Sequence, residues 1–249
     1  MAKQTGVGSS LFMAQYDLSG DVGAITGISG PRAMIDVTSI TDAAPERILG
    51  RRDGNIAFAG FWNTTANQIE PVLAAMPTTD VLTAVGIPAG ASLAVGDVGC
   101  ALNGKQITFD QAFGADGSLG VTTNVQANSS GLEWGQWLTA GKESRATGTV
   151  NGTALDGAAS SSFGCAAYIF TSVMPSGTFS AKLQDSADNS SWSDLASAAF
   201  TDATGPTSQR IVLGTSATVR RYVRLTTFGT HGTATVACLL VRYVTSQAV

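Results

Sequence analysis

One histidine, three cysteines and a thin scatter of carboxylates are the groups of this 249-residue chain with the most obvious reaction chemistry. His231 lies in Gly229-Thr230-His231-Gly232, which reads as a hairpin turn, so a histidine general base or a nucleophile–base pair would rest on that side chain alone. The chain contains no H-E-x-x-H, G-x-S-x-G or C-x-x-C, and Asp110, Asp116, Glu133 and Glu143 show no spacing that pairs them. A hydrolase working through His231 is the form an enzyme would have to take here, and no enzyme and no cofactor is the expectation. Gly99 to Lys105, GCALNGK, matches G-x-x-x-x-G-K, but Gln106 stands where a phosphate loop needs Ser or Thr for its metal. The ITFDQAF that follows reads as a strand, where the phosphate cradle requires a helix N-terminus, so a turn at Asn103-Gly104 is expected instead. Cys100, Cys165 and Cys238 are odd in number and far apart in sequence, which points to small core residues rather than to disulfides or zinc.

Three polar clusters remain. Asp185, Asp188 and Asp194 in LQDSADNSSWSDL are either calcium ligands or a hairpin tip built from Asp, Asn and Ser, with Trp192 returning to the core. Arg220, Arg221 and Arg224 in VRRYVRL alternate along a strand and read as solvated residues. The densest charge in the chain is Glu46, Arg47, Arg51, Arg52 and Asp53, with Gly50 and Gly54 as flexible points, and this segment is expected to be a contact loop.

The elements that would position these groups are mostly strands. The contact loop feeds the clearest one, Asn55 to Trp62, whose two faces, Ile56/Phe58/Gly60/Trp62 and Ala57/Ala59/Phe61, are both unsuited to water. Such a strand belongs inside a sandwich or between subunits. Before it, LFMAQYDL and AMIDVTSI read as strands separated by the turn-rich GDVGAITGISG. After it, Thr64 or Thr65 would cap a helix over 66–76 that Pro77 stops. Val81 to Ile87, one or two strands broken at Asn103-Gly104, Leu119 to Ala127 and Glu133 to Leu138 follow. Residues 151–162, rich in Gly, Ala and Ser, read as a linker or an exposed loop. Six strands at roughly ten-residue spacing then predict a sandwich: 165–171, 178–185, 192–200, 209–213, 221–227 and 233–243.

Composition agrees. Hydrophobic residues make up 44%, charged residues 13%, and there are 29 glycines, a mix that favours short strands and turns. A surface this poor in charge is expected to be covered, most simply by copies of the same chain. The net charge of −4 argues against a phosphate-gripping nucleic-acid binder. Residues 1–148 hold eight Lys and Arg against 13 Asp and Glu, net −5, whereas residues 149–249 hold six against five, net +1. Two domains, 1–150 and 151–249, are therefore expected. No apolar run follows Lys3 and none approaches the roughly 20 residues of a membrane span, so neither a leader nor a membrane partner is expected.

Two resemblances sharpen this. LQDSADNSSWSDL with RRYVRLTTFGT is similar to the jelly-roll modules of the discoidin and galactose-binding-like type, which implies a C-terminal jelly-roll or Ig-like sandwich and a glycan contact through Trp192 and Asp188. FMAQYDLSGDVGAI, PERILGRRDG, NIAFAGFW and NQIEPVLAAM, in that order, resemble the tail tube proteins of long-tailed bacteriophages. That resemblance implies an all-β protein whose N-terminal sandwich or barrel, with one short packed helix, forms hexameric or trimeric rings that stack into a tube. It implies contact between rings through Glu46, Arg47, Arg51, Arg52 and Asp53, association with other tail proteins, and DNA passing through the lumen without specific binding. The protein would be made in the host cytoplasm and reside in the virion tail. A wall that lets DNA pass should be acidic or neutral, because lysines and arginines there would act as a brake. The alternative is a carbohydrate-binding or adhesion protein acting through the C-terminal sandwich.

Overall fold

The computed structural model describes residues 6–174 and 176–245. In chain order its elements are β1 (Ser10–Met13), β2 (Tyr16–Asp17), β3 (Val22–Ser29), β4 (Arg32–Asp36), β5 (Arg47–Arg52), β6 (Asn55–Phe61), α1 (Ile69–Ala74), β7 (Val81–Ile87), β8 (Val98–Phe113), β9 (Leu119–Ala127) and β10 (Glu133–Trp137). They continue with β11 (Glu143–Arg145), β12 (Val150–Asn151), β13 (Leu155–Asp156), β14 (Cys165–Val173), β15 (Gly177–Ser186), β16 (Ser193–Ala199), β17 (Thr207–Val212), β18 (Tyr222–His231) and β19 (Ala234–Arg242). Among the described residues the protein is all-β apart from one short helix.

Contacts divide the described chain into a unit of residues 6–20, 82–101 and 134–245 and a unit of residues 21–81 and 102–133. This cut differs from the 1–150/151–249 division drawn from composition, and the reason lies in β14 and β19. In the first unit these strands are apolar on both faces. Cys165, Ala167 and Ile169 point into one core with Phe179, Leu183, Val223 and Leu225, while Ala166, Tyr168 and Phe170 point into another with Phe12, Ala84 and Trp137. Phe12 lies 5.4 Å from Trp137 and 5.5 Å from Phe170, ring centre to ring centre. β10 adds hydrogen-bonded register, Gln136 opposite Leu240 and Trp137 opposite Leu239. Burying each such large side chain contributes roughly 1.5–3 kcal/mol, so the strands flanking the second unit in sequence are bound to the C-terminal strands.

The first unit holds the sheet β17-β14-β19-β10-β8-β7-β1-β2, with β11 on β19, and a second sheet β12-β18-β15-β16, with β13 on β18. Residues 151–162 are therefore not a linker: β12 and β13 pair with β18, and Leu155 is buried in the core. LFMAQYDL is two strands, because Ala14 turns the chain with φ 51° between β1 and β2. His231 ends β18 and is buried against Phe179, 5.1 Å away, rather than lying in a turn. The three cysteines are free and buried, and burial raises the thiols of Cys100 and Cys165 to about 12.

The second unit is the sheet β3-β6-β9-β8, the helix, and a separate hairpin of β4 and β5. The Gly-rich segment expected as a turn is the edge strand β3, paired with β6 through two irregularities. The expected break at Asn103-Gly104 is absent, because β8 runs unbroken through it. Gly104 serves close approach instead: a Cβ there would collide with the backbone of Gln126 across the ladder. The helix spans Ile69–Ala74 and its N-cap, Gln68, makes no side-chain cap. Asp21 takes that role from afar, accepting from Ile69 N at 3.1 Å and Asn63 Nδ2 at 2.8 Å, while Gln106 Nε2 donates to the Leu73 carbonyl at 2.8 Å. Ile69 and Leu73 are buried, and Gly60 leaves room for Ile69 on the sheet.

Candidate functional site

The segment expected as a contact loop is a strand. β5 pairs with β4, Arg32 opposite Arg52, Met34 opposite Leu49, Ile35 opposite Ile48 and Asp36 opposite Arg47. A periodicity of two is hidden in RILGRR because a bulge between Arg32 and Met34 adds a residue on the β5 side. The result is an arm that pairs with no other strand among the described residues. Its shaft is apolar on both faces and exposed on both: Met34 63% and Leu49 65% on one, Ile35 48% and Ile48 50% on the other, with Ile40 fully exposed at the tip. A two-stranded ribbon of this kind is marginal in water by itself, and so large an exposed apolar surface marks an interaction site.

The five charged residues expected to make the contact divide into two groups. Glu46, Arg47 and Arg51 are exposed on the arm. Arg52 and Asp53 fix its root. Arg52 Nη2 donates to the Leu132 carbonyl at 3.3 Å, Asp53 N donates to the Pro31 carbonyl at 2.9 Å, and the Asp53 carboxylate accepts from Gln126 Nε2 at 2.7 Å. At the other end Asp36 accepts from the Thr38 hydroxyl at 2.5 Å and from its amide at 3.0 Å, which lowers the carboxyl below its ordinary value. The sequence pattern did not single out Met34, Ile35, Ile48 and Leu49 as contact residues, although the alternation of AMIDVTSI carried two of them.

The sheet beside the arm has two unlike faces. On one, Ile56, Phe58, Val121 and Val125 are buried with the helix residues Ile69 and Leu73. On the other, register places Ala24, Ala59, Thr122 and Asp110 in one row and Gly27, Ala57, Asn124 and Thr108 in the next. Asn55 Nδ2 donates to Asn124 Oδ1 on this face. The four strands hold one lysine and one aspartate between them, and that Lys105 ammonium is spent on Asp80 at 2.8 Å and the Thr78 carbonyl at 2.5 Å. The open face is therefore made mostly of small, uncharged side chains, exposed or half-exposed, with the exposed Asp110 its unpaired charge by register and the exposed Phe61 at one end.

In the first unit, the residues expected at a glycan contact are engaged with their own chain. The Arg224 guanidinium lies 4.1 Å from the centre of the Trp192 ring and is held by Gln184, which accepts from Nε and Nη2 at 3.0 and 2.7 Å. Trp192 is half-buried under this cation, on the side of the sheet away from Val223 and Leu225, and does not return to the core. Asp188 closes its turn by accepting from Ser190 N at 2.9 Å, Ser191 N at 2.8 Å and the Ser186 hydroxyl at 2.8 Å, which holds its carboxyl well below the usual range. Asp185 accepts from Arg220 N at 2.9 Å, and Asp194 accepts from Lys182 and Gln184, so the three candidate calcium ligands point to separate partners. No cluster of three metal-ligating side chains occurs among the described residues, and no helix among them is long and apolar enough to cross a membrane.

No family model matches the chain, and no curated protein matches it either. Among solved structures, it is similar to a chain of the virion of a native gene transfer agent particle, with 16% identity over 50% of this chain and 94% of that one, TM-score 0.39. It is similar to the sheath/tube terminator of an extracellular contractile injection system, with 7% identity over 54% and 97%, TM-score 0.44. It is also similar to the SPP1 Dit protein, described as a paradigm of the hub adsorption apparatus in phages infecting Gram-positive bacteria, with 13% identity over 93% and 98%, TM-score 0.35.

Proposed function

We propose that the chain is a structural, non-catalytic subunit of a phage-type tail, which associates with copies of itself into hexameric or trimeric rings and with other tail proteins in the virion. In this reading the rings stack into a tube whose lumen is lined by the open face of β3, β6, β9 and β8, and DNA passes along it without being bound. The observation that carries the proposal is that face: four paired strands, one side sealed on a helix, the other mostly Ala, Gly, Thr and Asn with Phe61, the carboxylate of Asp110 and a single lysine that is already paired. A basic wall would release counterions and hold phosphates, whereas a neutral to acidic wall offers no such grip. A ring needs two different, complementary patches on each subunit. The outer strands of this sheet, β3 and the second half of β8, are unlike each other, and joining them between copies would cover the edge of β3. The unpartnered apolar arm supports contact with a neighbouring ring.

Electron microscopy of the purified full chain tests this: hollow rods or annuli of uniform diameter are expected, and dispersed monomers at high concentration would overturn it. The retained lumen chemistry is tested in the same material by its failure to pull down double-stranded DNA at about 50 mM salt.

A further inference from the structure

The arm has three zones in order along its length. From the last ladder pair outward, Asp36, Asp42, Glu46 and Arg47 give the tip three carboxylates and one guanidinium, net −2. The shaft, Ala33 to Ile35 with Ile48 to Gly50, has no charge. At the root, Arg32, Arg51, Arg52 and Asp53 give three guanidiniums and one carboxylate, net +2. Arg51 and Arg47 are four strand residues apart, about 13 Å at about 3.3 Å per residue, which exceeds the Debye length of about 8 Å at physiological salt. Tip and root are therefore electrostatically separate patches of opposite sign, joined by an apolar surface that nothing among the described residues covers.

We infer that the acidic tip of one arm docks on the basic root of the arm of a second copy, whose own tip is left for the root of a third. This rests on the tube reading and specifies what meets what between neighbouring copies. Opposite charge at the two ends fixes direction, since a tip-to-tip or root-to-root contact places like charges together. The exposed Met34/Leu49 and Ile35/Ile48 faces supply the buried area. Such a contact is heterologous: each copy gives a tip and receives one.

Two charge-reversed forms of the full chain test it. Asp42→Lys with Glu46→Lys turns the tip from −2 to +2, and Arg32→Glu with Arg51→Glu turns the root from +2 to −2, while the root anchors Arg52 and Asp53 stay in place. Each form alone should lose at least about tenfold in sedimentable polymer relative to the unaltered chain. An equal mixture of the two should regain polymer to within about twofold, because each tip then finds a root of opposite sign. Near-ultraviolet circular dichroism and the unfolding midpoint check that both forms are folded. Should either not be, Asp42→Asn with Glu46→Gln replaces the tip form, and a flattened salt dependence of assembly is the expected result. Polymer formed as well by each reversed form alone overturns the tip-to-root contact and leaves the tube reading standing, as does a mixture of folded forms that fails to recover. An unaltered chain that stays monomeric overturns both.

Discussion

β14 and the β4–β5 arm have the same composition problem and opposite solutions. Both are apolar on two faces. β14 alternates between two cores of its own unit, and the side chains from Cys165 to Phe170 are all removed from water. The arm alternates in the same way, and every side chain from Arg32 to Leu49 is exposed. Two-faced hydrophobicity in a strand therefore specifies that it will be covered, without specifying by what. In the proposed assembly one chain carries a strand that folding completes and another that association would complete.

The comparison breaks first at β19. Leu239→Asp places an unpaired carboxylate in the core shared with Trp137 and Tyr168, and should cost about 4 kcal/mol or more. That loss would be read as a collapsed or absent unfolding transition in calorimetry. The matching change in the arm, Ile35→Asp with Ile48→Asp, should leave the unfolding midpoint of the unassembled chain within about 0.5 kcal/mol of its starting stability. Sedimentable polymer should nevertheless disappear. Equal destabilisation by the two changes would mean that the arm is completed within the chain after all.

A third change sharpens the contrast between the two faces of the β6 sheet. Ala59→Arg on the open face should leave rods visible by electron microscopy but cause them to retain added double-stranded DNA, with release as salt rises from about 50 to about 200 mM. The smallest effect is expected at the exposed Asp156–Arg221 pair, where Arg221 donates two hydrogen bonds and holds the Asp156 carboxyl down at about 2, below an ordinary value of about 3.9. A depressed carboxyl stabilises the fold above its ordinary value and loses that contribution as pH falls through the folded one. Asp156→Asn should therefore flatten the fall in denaturation midpoint between about pH 4 and pH 2, and change it little at neutrality, since exposed pairs contribute little.

Much of this architecture was legible before any coordinates. Period-two alternation gave β6 and β9 to within a few residues, because a strand with distinct faces repeats its positions, and turn signals at roughly ten-residue spacing gave six C-terminal strands. What failed did so for physical reasons. Glycine signals a turn locally, yet in β3 Gly23 faces the Phe61 ring and Gly27 the side chains of Asn55 and Ala57, and Gly104 answers to the backbone of Gln126, all far off in sequence. The helix cap was sought at Thr64 or Thr65, but the carboxylate that serves it belongs to Asp21, 48 residues before Ile69. Residues 151–162 resemble a linker because short edge strands draw their stability from β18 rather than from their own side chains. At the arm the charges were visible and the apolar shaft was not, since a bulge disguises the alternation of RILGRR.

The arm's polarity also bears on how growth would start and stop. Units linked nose to tail never run out of places to add another, so nothing in the link itself counts them, and length must be imposed from outside. The two extremities of such a stack would differ chemically, one showing bare carboxylates and the other bare guanidiniums. A protein that closes the first would have to bring positive charge, and one that seeds the second would have to bring negative charge.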